Sequence, residues 1–158
     1  MATNVKKITD EQVEEIVEKE AVNVLDLLLG SDIKEIKLPT KRMELTRLSA
    51  IFGAPFVITV SALSPDKYEE IQDMAVSVTG KDADIEISLL QILAVMEGVV
   101  DLNGKPIFKN KDLMSKFKAS SPKDLIRKLL LSGEIANIYG EIADLSGFGE
   151  NSVKEIKN

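Results

Sequence analysis

The chain has no cysteine, no histidine and no tryptophan among its 158 residues. Without cysteine there is no disulfide, no thiolate nucleophile and no thiolate-held zinc or iron–sulfur centre. Without histidine the commonest general base and metal ligand near neutral pH is missing. Carboxylate and lysine chemistry stay open, but most hydrolytic, redox and zinc mechanisms lose their usual parts, and the sequence does not read as an enzyme. No phosphate-cradling glycine loop, dinucleotide fingerprint or nucleophile elbow occurs, so no cofactor is expected. Aromatic residues are only 4%, which leaves the core to Leu, Ile, Val and Met. Apolar runs such as Leu27-Leu28-Leu29 fall far short of the roughly 20 residues a membrane span needs. The start, Met1 to Lys7, has no leader pattern and runs into an acidic helix, so the expected location is the cytoplasm.

What is present is ordinary for a globular protein: 44% apolar residues, 29% charged residues and a net charge of −6. That balance is too apolar for disorder, and the length suits one domain over residues 1–158, with 1–8 and 150–158 as flexible ends. The charge is segregated. Between Asp101 and Leu131 eight basic residues face three acidic ones, a local +5 that leaves −11 for the rest. Solvated helix faces account for this, as does a basic patch facing an acidic partner or an acidic region of another copy. An acidic chain with only Phe108 and Phe117 beside its lysines gives a poor nucleic-acid platform. Asp82, Asp84 and Glu86 alternate but lack the glycine and closing glutamate of a calcium loop, and read as solvated.

Along the chain, Thr9 and Gln12 form a capping box for a helix from about Asp10 to Leu29, stopped by Gly30. Ile33–Leu38, Arg42–Thr46 and above all Phe56–Ala62 have strand character, giving a small antiparallel sheet of two or three strands in the N-terminal half. Leu48–Phe52 fits a strand or one helical turn. Ser64-Pro65 opens a helix through Met74, and Val76–Asp84 reads as a loop. Ser88 with Gln91 predicts a second capping box before a helix that is apolar nearly all round and belongs at the centre of the core. Asn103-Gly104 marks a turn, Asn110 and Ser121-Pro122 begin two short helices, and Ser132 caps a last long one reaching Gly147. The expected fold is α+β, mainly α: a single domain of about six helices with the small sheet.

Two sets of residues are candidates for binding a partner. Ile135, Ile138, Tyr139 and Ile142, with Leu145, form one stripe at helical spacing, which is either core or a face on which another helix docks. Lys116 and Lys123 stand in the basic segment, available to acidic surfaces.

Three blocks of the sequence carry a family resemblance. The first runs from Leu38-Pro39-Thr40-Lys41-Arg42-Met43-Glu44-Leu45 through Phe52-Gly53 and Pro55-Phe56 to Ala62-Leu63-Ser64-Pro65-Asp66-Lys67-Tyr68. The second joins Leu90-Gln91-Ile92 and Glu97-Gly98-Val99 to Phe108-Lys109-Asn110-Lys111-Asp112-Leu113-Met114. The third joins Ser121-Pro122-Lys123-Asp124-Leu125 and Gly133-Glu134-Ile135 to Leu145-Ser146-Gly147-Phe148-Gly149. As an ordered set they resemble the XkdN-like tail assembly chaperones of phages, prophages and phage-tail-like bacteriocins of Gram-positive bacteria. None is a catalytic signature. The resemblance implies a chaperone in the bacterial host cytoplasm that binds the tape measure protein, keeps it soluble, helps recruit tail tube protein and is absent from the finished particle. Further copies of the same chain are also expected partners, and neither nucleic acid nor membrane is. The competing reading is a structural tail or baseplate component retained in the particle.

Overall fold

The computed structural model describes residues 9–13, 23–79 and 82–156, and the chain divides into two compact units, Met1–Lys37 and Leu38–Asn158.

In the first unit the Thr9 capping box is present: Thr9 Oγ1 accepts from the Gln12 amide at 3.3 Å, and Gln12 Oε1 from the Thr9 amide at 2.9 Å. Residues 10–13 are helical, and 14–22 of the expected helix lie outside the described residues. That helix does not run unbroken to Leu29. Asn23 has an extended backbone (φ −84°, ψ 110°), and its side-chain oxygen accepts from the amides of Leu25 and Asp26 to start a separate helix α1, Val24–Gly30. Asparagine offers the chain this local alternative to continuing a helix. The strand expected at Ile33–Leu38 does not form. Pro39, which follows it, has no amide to extend a ladder, and the sheet takes its third strand from elsewhere.

The second unit is built on that sheet. Strand β1 (Thr40–Glu44) pairs antiparallel with β2 (Val57–Ser61), and β2 pairs with the short strand Val99–Val100, numbered β5. Between β1 and β2 runs helix α2, Thr46–Phe52, which resolves the open choice at Leu48–Phe52 in favour of a helix. It ends on Gly53, whose φ of +68° favours glycine. Helix α3 (Pro65–Ala75) starts as its sequence predicts, with Ser64 Oγ accepting from the Lys67 amide at 3.2 Å.

Val76–Asp84 is a hairpin, not a loop: β3 (Val76–Thr79) pairs antiparallel with β4 (Asp82–Ile85). Val76, Val78 and Thr79 are β-branched and suit a pleated backbone, a signal that the neighbouring aspartates masked. The hairpin closes with the Glu86 amide donating to the Ala75 carbonyl at 2.8 Å. Helix α4 (Ile87–Gly98) therefore begins one residue before Ser88, which lies too far inside to cap it; Glu86 holds the cap position without a side-chain bond.

Helix α4 is the centre of the core, as its all-round apolarity predicts, with Leu90, Ile92, Leu93, Ala94 and Val95 buried. After a turn at Gly104 and a 3-10 turn, Ile107–Lys109, come α5 (Lys111–Lys116) and α6 (Pro122–Leu129). Asn110 and Ser121 cap them through side-chain oxygens at 3.0 and 3.1 Å. The last helix, α7 (Ser132–Ala143), is capped at Leu131 and not at Ser132. Glu134 reaches back from the third helical position and accepts from the Leu131 amide at 2.8 Å. A wide turn, Asp144–Phe148, ends it with Gly147 at φ +94°. The architecture is α+β and mainly helical, as the sequence predicts.

Candidate partner-binding surface

Helix α7 packs on α4, and the stripe of Ile135, Ile138 and Ile142 is its buried face. All three side chains are buried among the core residues. Ile142 lies against Gly98 so closely that a Cβ on that glycine would be 2.5 Å from Ile142 Cδ1 and 3.3 Å from the Ser61 carbonyl oxygen. Tyr139 is half-buried, its hydroxyl 3.1 Å from that of Tyr68. The ring of Tyr68 in turn tilts against Phe148 at 4.9 Å. Burial, helped by the bond to Tyr139, pushes the Tyr68 phenol up to about 12. The three isoleucines thus offer no open face in this state, and the core reading of the stripe is the one the packing supports.

The junction of α6 and α7 is pinned from outside by Arg47 on α2. Its guanidinium donates to both carboxylate oxygens of Glu134, at 2.8 to 3.3 Å, and to the Leu129 carbonyl at 2.8 Å. The Arg47 bond holds the Glu134 carboxyl below the usual carboxylate range, aided by the Leu131 amide and opposed by burial.

The two lysines behave differently. Lys116 is exposed at the end of α5, its Nζ 5.9 Å from the ring centre of Phe117. Lys123 is half-buried in the first turn of α6. Neither forms an ion pair among the described residues, whereas Lys109 pairs with Glu97 and Lys128 approaches Asp124. Lys116, Lys105 and Lys109 rim an open depression of about 850 Å³ whose apolar lining includes Pro106, Ile107 and Leu113; Lys123 is not part of it.

A second depression of about 370 Å³, lined by Phe56, Val57, Val100 and Leu102, shares Asp101 and Ile107 with the first. Phe52 stacks on Phe56 with ring centres 5.6 Å apart and is itself exposed, as are Val57 and Leu102. Through Asp101 and Ile107 the two hollows adjoin as one strip, apolar at the sheet end and charged at the α5 end, where Lys105, Lys109 and Lys116 stand with Asp101 and Asp112. Sequence periodicity does not find it, because its residues come from loops, strand ends and turns. One signal was available: Leu102 is an apolar side chain inside an Asp-Leu-Asn-Gly turn. The Asp101 carboxylate accepts from the amides of Asn103 and Lys105 there, which fixes the turn and leaves Leu102 standing out.

Among the described residues no group of acidic side chains gathers as a metal site; the side chains of Asp82 and Asp84 lie outside that description. No described helix is long and apolar enough to cross a membrane.

A mainly helical α+β protein with an exposed apolar strip has the kind of surface that other proteins bind. Residues 25–157 match the phage XkdN-like tail assembly chaperone family, and the chain belongs to that family. Its role is accordingly that of a phage tail assembly chaperone, with phage tail proteins as partners. A crystal structure of the protein YqbN shares the fold, with a TM-score of 0.57 at 19% identity over 82% of this chain and 100% of that one. No curated protein matches the chain significantly.

Proposed function

We propose that this chain binds the tape measure protein during tail assembly, keeps it soluble, helps bring tail tube protein to it, and leaves before the particle is finished. Membership of the tail assembly chaperone family over residues 25–157 carries this reading. A long helical tape measure has apolar faces with no core of its own, and exposed faces of that kind aggregate. The strip from Phe52 to Lys116 suits such a client: Phe52, Val57 and Leu102 meet an apolar helix face, while Lys105 and Lys116 meet acidic residues beside it. Such work takes place in the host cytoplasm and needs no catalysis, in keeping with the absence of histidine and cysteine.

Co-expression with the tape measure protein tests this. The expected result is a larger soluble fraction of the tape measure and co-purification of the two proteins. No gain in solubility together with no co-purification overturns the reading. Mass spectrometry of finished particles is expected to find tail tube protein and none of this chain; its presence at stoichiometric level would favour a retained structural component. Lys116→Glu is expected to weaken the complex at low salt, and Lys123→Glu, off the strip, to weaken it less.

A further inference from the structure

Strand β1 is an edge strand, since the sheet order is β1-β2-β5 and, among the described residues, only β2 adjoins it. The bonds from Leu45 N to Phe56 O and from Ala62 N to Pro39 O, both 2.9 Å, fix which residues face β2. By alternation Lys41 and Met43 bond to β2, opposite Val60 and Ile58. The amides and carbonyls of Thr40, Arg42 and Glu44 therefore point outward, and no backbone partner meets them among the described residues. Thr40, Lys41, Arg42 and Glu44 are all exposed. Arg42 and Glu44 are in no ion pair among the described residues; Glu44 spends one oxygen on Ser49 and keeps the other. Lys41 already pairs with Glu141 at 2.8 Å.

An open edge of this kind invites another strand. When two copies of one strand pair antiparallel across a twofold axis, residues of the same face must stand opposite each other. The five residues of β1 allow five such registers, and the one centred on Thr40 brings no residue of the strand but Thr40 opposite its copy. A register centred on Lys41 sets Lys41 against itself, one centred on Arg42 sets Arg42 against itself, and one centred on Glu44 does the same with Glu44. Like charges directly opposite destabilise a sheet. The register centred on Met43 instead sets Arg42 against the Glu44 of the other copy twice over, both in hydrogen-bonded positions. It also places the two Met43 side chains together in the close, non-hydrogen-bonded position and sets Lys41 against Leu45.

We propose that β1 is an interface between two copies of this chain, paired edge to edge across an axis at Met43. The result is one continuous six-stranded antiparallel sheet, in the order β5-β2-β1-β1-β2-β5, with two cross-strand Arg42–Glu44 pairs. The occupant is a second copy because the charge pattern of β1 is complementary to itself in one register and repels itself in the neighbouring ones. This goes beyond the client-binding reading and does not depend on it, since self-association is measured on the chain alone.

Sedimentation equilibrium of the full chain is expected to show a dimer. Arg42→Glu and Glu44→Arg each place like charges opposite each other and are expected to weaken the dimer about tenfold or more. An equimolar mixture of the two variants restores both attractive pairs, as does the double variant on one chain, so both are expected to dimerise again. Because the chain has no cysteine, Met43→Cys carries a single thiol. A Cα separation of about 4.5 Å in the close pair suits a disulfide, so mild oxidation is expected to cross-link two copies. A monomeric wild type that gives no Met43→Cys cross-link overturns the proposal. So does a dimer unaffected by both charge reversals, which would place the contact on another surface, and so does pairing of β1 with a client strand in place of its own copy.

Discussion

The α4–α7 contact and the strip from Phe52 to Lys116 are both rich in large apolar side chains, yet they do opposite things. In the first, Ile135, Ile138 and Ile142 recur at helical spacing and disappear into the core. In the second, Phe52, Val57 and Leu102 share no periodicity, sit on different elements and stay exposed. Regular spacing lets a helix such as α7 turn one whole face inward, and here that face is buried. Leu102, an apolar residue in a turn, stays outside.

The largest effect should come from breaking the sealed region. Ile142→Ala removes a fully buried side chain from the α4–α7 contact and is expected to cost about 3 kcal/mol, read as a drop in the urea midpoint. Gly98→Ala presses a methyl group onto Ile142 Cδ1 and is expected to cost about 1–2 kcal/mol. Ile142→Val removes that carbon, so the double variant should be more stable than the sum of the two single losses. Strict additivity would mean that the contact at Gly98 is not the source of the strain.

The open region should respond in the reverse sense. Leu102→Asp and Phe52→Ser are expected to leave thermal stability within about 0.5 kcal/mol of the native chain, as surface changes do, while reducing the soluble yield of a co-expressed tape measure protein. A loss of stability comparable to that of Ile142→Ala would show that these side chains belong to the core after all, and the contrast between the two regions would collapse.

Much of the fold was legible because local chemistry decides it. Thr9, Ser64, Asn110 and Ser121 each cap the helix that their sequence context predicts, and α4 is central because it has no polar face to show solvent. Where the sequence reading failed, something non-local or competing was in control. Asn23 interrupts a helical pattern with its own side chain. The third strand is a two-residue segment, Val99–Val100, recruited from beyond four intervening elements. Helix α7 starts from Leu131, whose amide donates to Glu134, and Arg47, 87 positions earlier, helps to hold that carboxylate in place. The partner surface was the least legible part. Its lysine Lys116 could be singled out from charge, but the apolar half is assembled from segments that no single window of sequence brings together.

The smallest of these effects lies at the corner that joins the two regions, the Arg47–Glu134 clamp, and its signature is a pH dependence. The Glu134 carboxyl is held below its ordinary value in the folded state, so the folded protein binds that proton more weakly than the unfolded chain. The resulting stabilisation is fully present above the unfolded carboxylate value of about 4.3 and is lost as pH falls through the lower folded value. Glu134→Gln keeps an acceptor for the Leu131 amide but gives up the charged fork with Arg47. At neutral pH it is expected to melt slightly below the native chain, and the gap should close on acidification as the native carboxylate takes up its proton. A gap that persists unchanged at low pH would assign the loss to packing. A gap absent at pH 7 would mean that the α6–α7 corner is held by burial of Leu125, Ile126 and Leu130 without help from the ion pair.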